Sequence, residues 1–312
     1  MAQPYPQPPP PVVRRRAWLR IFWVGLVLWL ATVLVIFATG NPNLVPTLVL
    51  LGSFLVPVTF VAWAFERRET GELTPGLILN TFLAGGVLGV LAASLLESYL
   101  LRPSWWLFLG VGLIEEAVKL AVLAFLTRHL HHKAVRDGII LGASVGFGFA
   151  AFETAGYAFT ALFTAHGLSV PQLVETEVLR SVISPFGHGL WTAILGGVLF
   201  ASSTREHFTI TGRLVLAYLG VSLLHAFWDG MRVIALILTL LFTGGVVSHG
   251  RLVHPTGGQV VLFTVLEWVG LAIVALIGLL WLWTVVRSAR RAQQQPPPPP
   301  SGWRVPIRPP GG

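Results

Sequence analysis

Two adjacent glutamates with a lysine one turn on, in the segment EEAVK at 115–119, stand inside an otherwise apolar run. Glu115 and Lys119 are four apart and Glu116 and Lys119 three apart, so one ammonium reaches either carboxylate and leaves the other without a local partner. Paired carboxylates in a low dielectric titrate as a coupled unit sharing a proton, which suits acid and base work. FAAFE places Phe149 and Glu153 on one helical stripe, HGLWT does the same for His188 and Thr192, and HAFWD sets His225 four residues before Asp229. In that last spacing the aspartate fixes the imidazole tautomer, or both groups face one site.

These residue types admit two mechanisms, both of them amide hydrolysis. In one, a glutamate is general base toward water, a second acid protonates the leaving amine, and His188 or His225 donates a hydrogen bond to the tetrahedral oxyanion. In the other, His188, His225 and a carboxylate such as Glu153 form a two-histidine, one-carboxylate set for Zn²⁺, with Glu115 or Glu116 as the base. No HExxH segment is present, and the sequence leaves both routes open. Packing roles compete for each group, most simply an Asp229–Arg232 pair one turn apart.

The elements that must position these groups are membrane spans. Of 312 residues only 11% are charged and 54% are hydrophobic, and the mean hydropathy is +0.74. Soluble domains carry roughly a quarter charged residues, so a soluble globular fold is excluded. No cysteine is present, which excludes disulfides, thiolate nucleophiles and cysteine-ligated metals. Windows of about twenty apolar residues predict an all-α polytopic bundle of about eight transmembrane helices, near 17–39, 44–65, 77–100, 105–127, 138–162, 182–203, 214–243 and 259–286. The window at 214–243 is long and holds Arg232, so a break there, with a tilted or re-entrant piece beyond it, is expected. The Pro-rich basic tails, 1–16 and 287–312, read as disordered, leaving 17–286 as the bundle and 105–243 as the part bearing the chemistry.

Connectors on one side, with both tails, carry 16 Lys and Arg against three on the other (Arg102, Arg180, Arg251). The bias puts both termini in the cytoplasm and explains the net charge of +8 without a nucleic-acid partner. Five charged groups cluster well inside the fourth, fifth and seventh spans: Glu115, Glu116, Lys119, Glu153 and Asp229. At about 2.5–3.5 kcal/mol each on insertion scales, such a cluster calls for a function or a full set of partners. Counted at about 1.5 Å per residue from the non-cytoplasmic ends, the acidic and histidine groups fall roughly 9–17 Å deep, in one layer of the outer half. Gly142 and Gly146 form a small-residue face for close helix approach. Asn80, Glu97 and Glu267 are expected to cap or pack, and His129, His131 and His132 to lie in a solvated basic loop.

EEAVK, FAAFE, His188 and HAFWD resemble, in order and spacing, the EExxK, FxxxE, H and HxxxD motifs of the PrsW family of intramembrane proteases. The related type II CAAX prenyl proteases carry EExxxR, FxxxH and HxxxN, and Lys119 and Glu153 put this chain on the PrsW side. The resemblance covers about 115 residues on four successive spans. It implies cleavage, near the extracytoplasmic face, of a single-span membrane-bound regulator such as an anti-sigma factor. It implies an integral protein of the bacterial plasma membrane, with catalytic roles for Glu115, Glu116 and His188, and for Glu153, His225 and Asp229 by motif position; the family is commonly described as metalloprotease and the related prenyl proteases also as glutamate-dependent enzymes, so the resemblance leaves open whether Zn²⁺ takes part. The competing classes are a proton-coupled transporter, against which the absence of an inverted repeat counts, and a non-catalytic scaffold or sensor, against which the intact glutamate pair counts.

Overall fold

The structure is a computed structural model that describes residues 16–66, 73–203, 207–248 and 250–294. Nine α-helices follow one another in these residues: α1 (Ala17–Thr39), α2 (Val45–Glu66), α3 (Pro75–Leu100), α4 (Leu107–Thr127), α5 (Val135–Leu162), α6 (Val170–Ile183), α7 (His188–Ala201), α8 (Gly212–Thr243) and α9 (Gly257–Gln294). The all-α expectation holds, with two antiparallel two-residue hairpins in connectors, β1 (Phe163–Thr164) with β2 (Gly167–Leu168) and β3 (Val247–Ser248) with β4 (Arg251–Leu252). Seven helical segments are long and apolar enough to cross a membrane. The shorter α4, 21 residues bearing Glu115, Glu116 and Lys119, packs between α3 and α8 and brings the bundle to eight.

Helix starts follow local chemistry. Thr74, ahead of Pro75, accepts a hydrogen bond from Leu77 N at 3.1 Å, and Thr211 accepts one from Leu214 N at 3.3 Å, so α3 and α8 begin where their orphan amides are satisfied. Gly40, at φ 65°, closes α1.

Three boundaries differ from expectation. The run at 182–203 is not one helix: α6 ends at Ile183, a 3₁₀ turn occupies Ser184–Phe186, and α7 begins at His188. Pro185 lacks the amide donor that would continue the helical ladder, and Gly187 takes φ −102°, ψ −124°, so the chain turns just ahead of the histidine. Conversely, α8 is continuous through Arg232 for 32 residues, with no break and no re-entrant piece. Arg232 is accommodated over the Phe263 ring, 5.9 Å away. At its end α9 runs eight residues past the expected span, to Gln294, through the helix-forming RSARRAQQ. The remainder of both tails lies outside the described residues.

Helix α5 is the centre of the bundle, packed between α3 on one side and α7 on the other, and α5 and α7 are buried along most of their length. The small face made this possible. A Cβ on Gly142 would meet the carbonyl of Thr192, and one on Gly146 the carbonyl of His188. The outer helices α1 and α9 present exposed Val, Leu, Ile and Phe along their length, as lipid-facing helices do.

Candidate active site and metal centre

Side chains from α4, α5, α6, α7 and α8 meet at one point in the bundle. On α4, Glu115, Glu116 and Lys119 are buried at 6%, 0% and 0% exposure. Lys119 Nζ donates to Glu115 Oε2 and Glu116 Oε1, both at 2.9 Å, and lies 2.7 Å from His188 Nδ1. Its charge also rests 3.9 Å from the centroid of the Phe149 ring. An ammonium has three protons and no acceptor, so these partners use all three and His188 Nδ1 is an acceptor. His188 Nε2 then carries the ring hydrogen and donates to Glu153 Oε2 at 2.9 Å.

Glu153 Oε2 is also held by Arg180 Nη2 at 2.6 Å, while Arg180 Nε donates to Thr154 Oγ1 at 3.0 Å and the guanidinium lies over Tyr157. Arg180 was expected in a connector. It stands instead on α6 and turns inward, closing a chain of contacts from α6 through Glu153 and His188 to Lys119.

His225, 1% exposed, has a carboxylate at each ring nitrogen: Glu116 Oε1 3.1 Å from Nδ1 and Asp229 Oδ2 3.3 Å from Nε2. Asp229 therefore partners His225 and not Arg232. The two imidazoles are 4.9 Å apart between centroids, and Trp191 covers His225 at 4.7 Å.

Glu115 Oε2 lies 3.7 Å from His188 Nδ1 and 3.7 Å from His225 Nε2, and one ligand atom from each of these three residues falls within 4.8 Å of the others. The carboxylate that shares a locus with both imidazoles is thus Glu115, whereas Glu153, named for that place from sequence, stands beyond the outer nitrogen of His188. Two nitrogens and an oxygen suit a transition-metal ion. The far nitrogen of each histidine faces its own carboxylate, Glu153 for His188 and Glu116 for His225, the arrangement that orients metal-binding imidazoles. Glu116 Oε2 is buried without a hydrogen-bond partner among the described residues. The residues present fit a metal.

A cavity of about 370 Å³ opens on this cluster, lined by Glu97 on α3, Glu115 on α4, Glu153 and Tyr157 on α5 and Asp229 on α8, among apolar residues such as Phe108 and Phe149. Glu97 was expected only to cap or pack; it faces the cleft, and its Oε1 is buried without a hydrogen-bond partner among the described residues. Five carboxylates here (Glu97, Glu115, Glu116, Glu153, Asp229) stand against two permanent cations, Lys119 and Arg180. In an apolar setting that deficit is met by protons or by a bound cation. His129, His131 and His132 lie in the α4–α5 connector, apart from the cluster.

Residues 73–266 match the family described as PrsW family intramembrane metalloprotease. The chain is 28% identical over 189 residues to Protease PrsW of Halalkalibacterium halodurans, covering 58% of this chain and 82% of that one. It is 30% identical over 157 residues to Protease PrsW of Geobacillus kaustophilus (47% and 64%) and 28% over 185 residues to that of Shouchella clausii (57% and 80%). No solved structure matches. The matched region takes in all four polar motifs and the helices that bring them together, and the chain belongs to the PrsW family of intramembrane proteases.

Proposed function

We propose that this membrane protein hydrolyses a peptide bond of a single-span, membrane-bound regulatory protein of the anti-sigma-factor type, near the extracytoplasmic face, using a metal site of Glu115, His188 and His225. The observation that carries the reading is the meeting of Glu115 Oε2 with one nitrogen of each histidine, each ring backed by a second carboxylate. The metal is inferred to be zinc, from a donor set without sulfur and from the family's description as metalloproteases. Such an ion supplies Lewis acidity toward water and the scissile carbonyl.

The protein's own groups divide the remaining work. Glu116 is wholly buried and spent on Lys119 and His225, so it holds the ring and the ammonium in place. Glu153, anchored by Arg180, does the same for His188. Asp229, with 30% of its side chain exposed, lines the cleft beside His225 Nε2. It accepts the proton as water oxygen attacks the carbonyl carbon. As the C–N bond breaks, that proton passes to the leaving nitrogen. The apolar wall of Phe108 and Phe149 keeps bulk water from the substrate.

Co-expression with a tagged single-span substrate tests this. Full processing by the wild type, with none by Glu115→Gln or His188→Ala at equal membrane abundance, is the expected result. Wild-type processing by both variants would remove these residues from the reaction.

A further inference from the structure

Amide hydrolysis passes through a tetrahedral intermediate whose charge sits on the former carbonyl oxygen, and hydrogen-bond donors in the cleft must meet that charge. The nitrogen donors of the polar cluster are directed at its own acceptors: Lys119 at Glu115 and Glu116, and both Arg180 and His188 at Glu153. His225 has a carboxylate at each ring nitrogen. Ionised carboxylates only accept, so they cannot serve the oxyanion. Of the residues lining the acidic cleft, two carry a hydroxyl, Ser94 on α3 and Tyr157 on α5.

Tyr157 is the better placed of the two and the stronger donor. It follows Glu153 by one turn on α5, and a helical side chain leans back over the turn that precedes it, here toward Glu153. The charges that act on its hydroxyl are those of the site itself: Glu153, Arg180, Asp229 and Glu115. Arg180, held by Glu153 and Thr154, lies 4.2 Å from the centroid of the ring and fixes one of its faces. The hydroxyl has no acceptor among the described residues. A phenol, with a pKa of about 10, is far more acidic than an aliphatic alcohol and donates a stronger hydrogen bond to an anionic oxygen.

We propose that Tyr157 is the oxyanion donor of the reaction. As the water oxygen attacks the carbonyl carbon, the phenol O–H hydrogen-bonds the oxygen that takes up the carbonyl electron pair and keeps its own proton. The hydrogen bond weakens again when the C=O bond re-forms and the C–N bond breaks. This role rests on the peptide hydrolysis proposed above, holds whichever group activates the water, and adds a residue that none of the four sequence motifs contains.

The purified full chain and a single-span substrate, with the cleaved bond mapped in the wild type, test the role. Tyr157→Phe removes one oxygen atom and should lower kcat on the order of 100-fold with KM unchanged. Metal content and thermal unfolding should stay at wild-type values. Incorporating 3,5-difluorotyrosine at position 157, a more acidic phenol, should restore the rate and move the loss of activity at high pH to a lower pH, which a tyrosine that merely packs would not do. A phosphinic peptide in which a tetrahedral P–O⁻ replaces the cleaved bond should bind Tyr157→Phe about tenfold more weakly than the wild type, and the amide peptide of the same sequence should bind both alike. Tyr99→Phe, at the exposed end of α3 and outside the cleft, should match the wild type throughout. Undiminished kcat and phosphinate affinity in Tyr157→Phe would overturn the role and leave the protease reading standing. A wild type that cleaves no substrate would overturn that reading and the role together.

Discussion

Lys119 on α4 lies 2.7 Å from Nδ1 of His188 on α7, and this contact joins the glutamate pair to a histidine 69 positions away in the chain. Because the ammonium only donates, it sets which nitrogen of His188 carries hydrogen, and through that hydrogen it sets the contact to Glu153. The same Glu115 oxygen and the same His188 nitrogen that Lys119 contacts belong to the candidate metal set. His188 Nδ1 has a single lone pair, so it serves either the Lys119 ammonium or a metal ion, and Lys119 must withdraw from it for an ion to bind there.

Removing that ammonium strands two buried carboxylates. Lys119→Met should lower stability by about 3–5 kcal/mol, the usual cost of leaving a buried charge without its partner. Thermal unfolding in detergent measures it, and adding Glu116→Gln should recover part of the loss. A Lys119→Met protein as stable as the wild type would show that the ammonium is not what balances the pair.

In the proposed site Arg180 acts through Glu153, its ion-pair partner at 2.6 Å, and not on the substrate. Arg180→Gln should lower the processing rate and metal affinity about 10- to 100-fold, the range for residues that orient a metal-binding histidine. Glu153→Gln should give a loss of similar size, and the double variant little more than either single one. Additive losses would separate the two residues.

Close approach of α5 and α7 depends on Gly146. In Gly146→Ala the added methyl meets the His188 carbonyl, so α7 must move, at a cost of about 1–3 kcal/mol and with reduced processing. Gly156→Ala, on the same helix with open space around it, should be neutral or slightly stabilising. Equal behaviour of the two variants in unfolding and processing assays would show that the contact is slack.

The proposed orientation is open to labelling, and the absence of cysteine makes single introduced thiols clean reporters. Cysteines at Arg102, His166 and Arg251 should react with an impermeant reagent added to whole cells, and a cysteine at His132 only after permeabilisation. The reverse pattern inverts the bundle and moves the site to the cytoplasmic half.

The membrane helices and motif-bearing groups were legible because a charge inside an apolar run is conspicuous whatever surrounds it. Arg180 and Glu97 were not, since each lies outside the four motifs, near the end of a different helix. Helix α6 was read as connector because Glu175, Glu177 and Arg180 dilute its hydropathy; Ser169 followed by Pro171, a cap and a first-turn proline, was the local signal for it. The turn before His188 was similarly written in Ser184–Pro185 and Gly187, inside a run that hydropathy alone reads as continuous. Which carboxylate meets both imidazoles depends on helix rotation. That rotation leaves no trace in hydropathy when lipid-facing and core-facing surfaces are both apolar.

The metal content of the purified full chain, measured beside cleavage of a co-expressed single-span substrate, bears most directly on the proposed site. Near-stoichiometric zinc in the wild type, lost together with cleavage in Glu115→Gln, His188→Ala and His225→Ala, is the predicted result. Cleavage by a metal-free protein, undiminished by chelators, would contradict the metal site and leave Glu115 as the base that activates water.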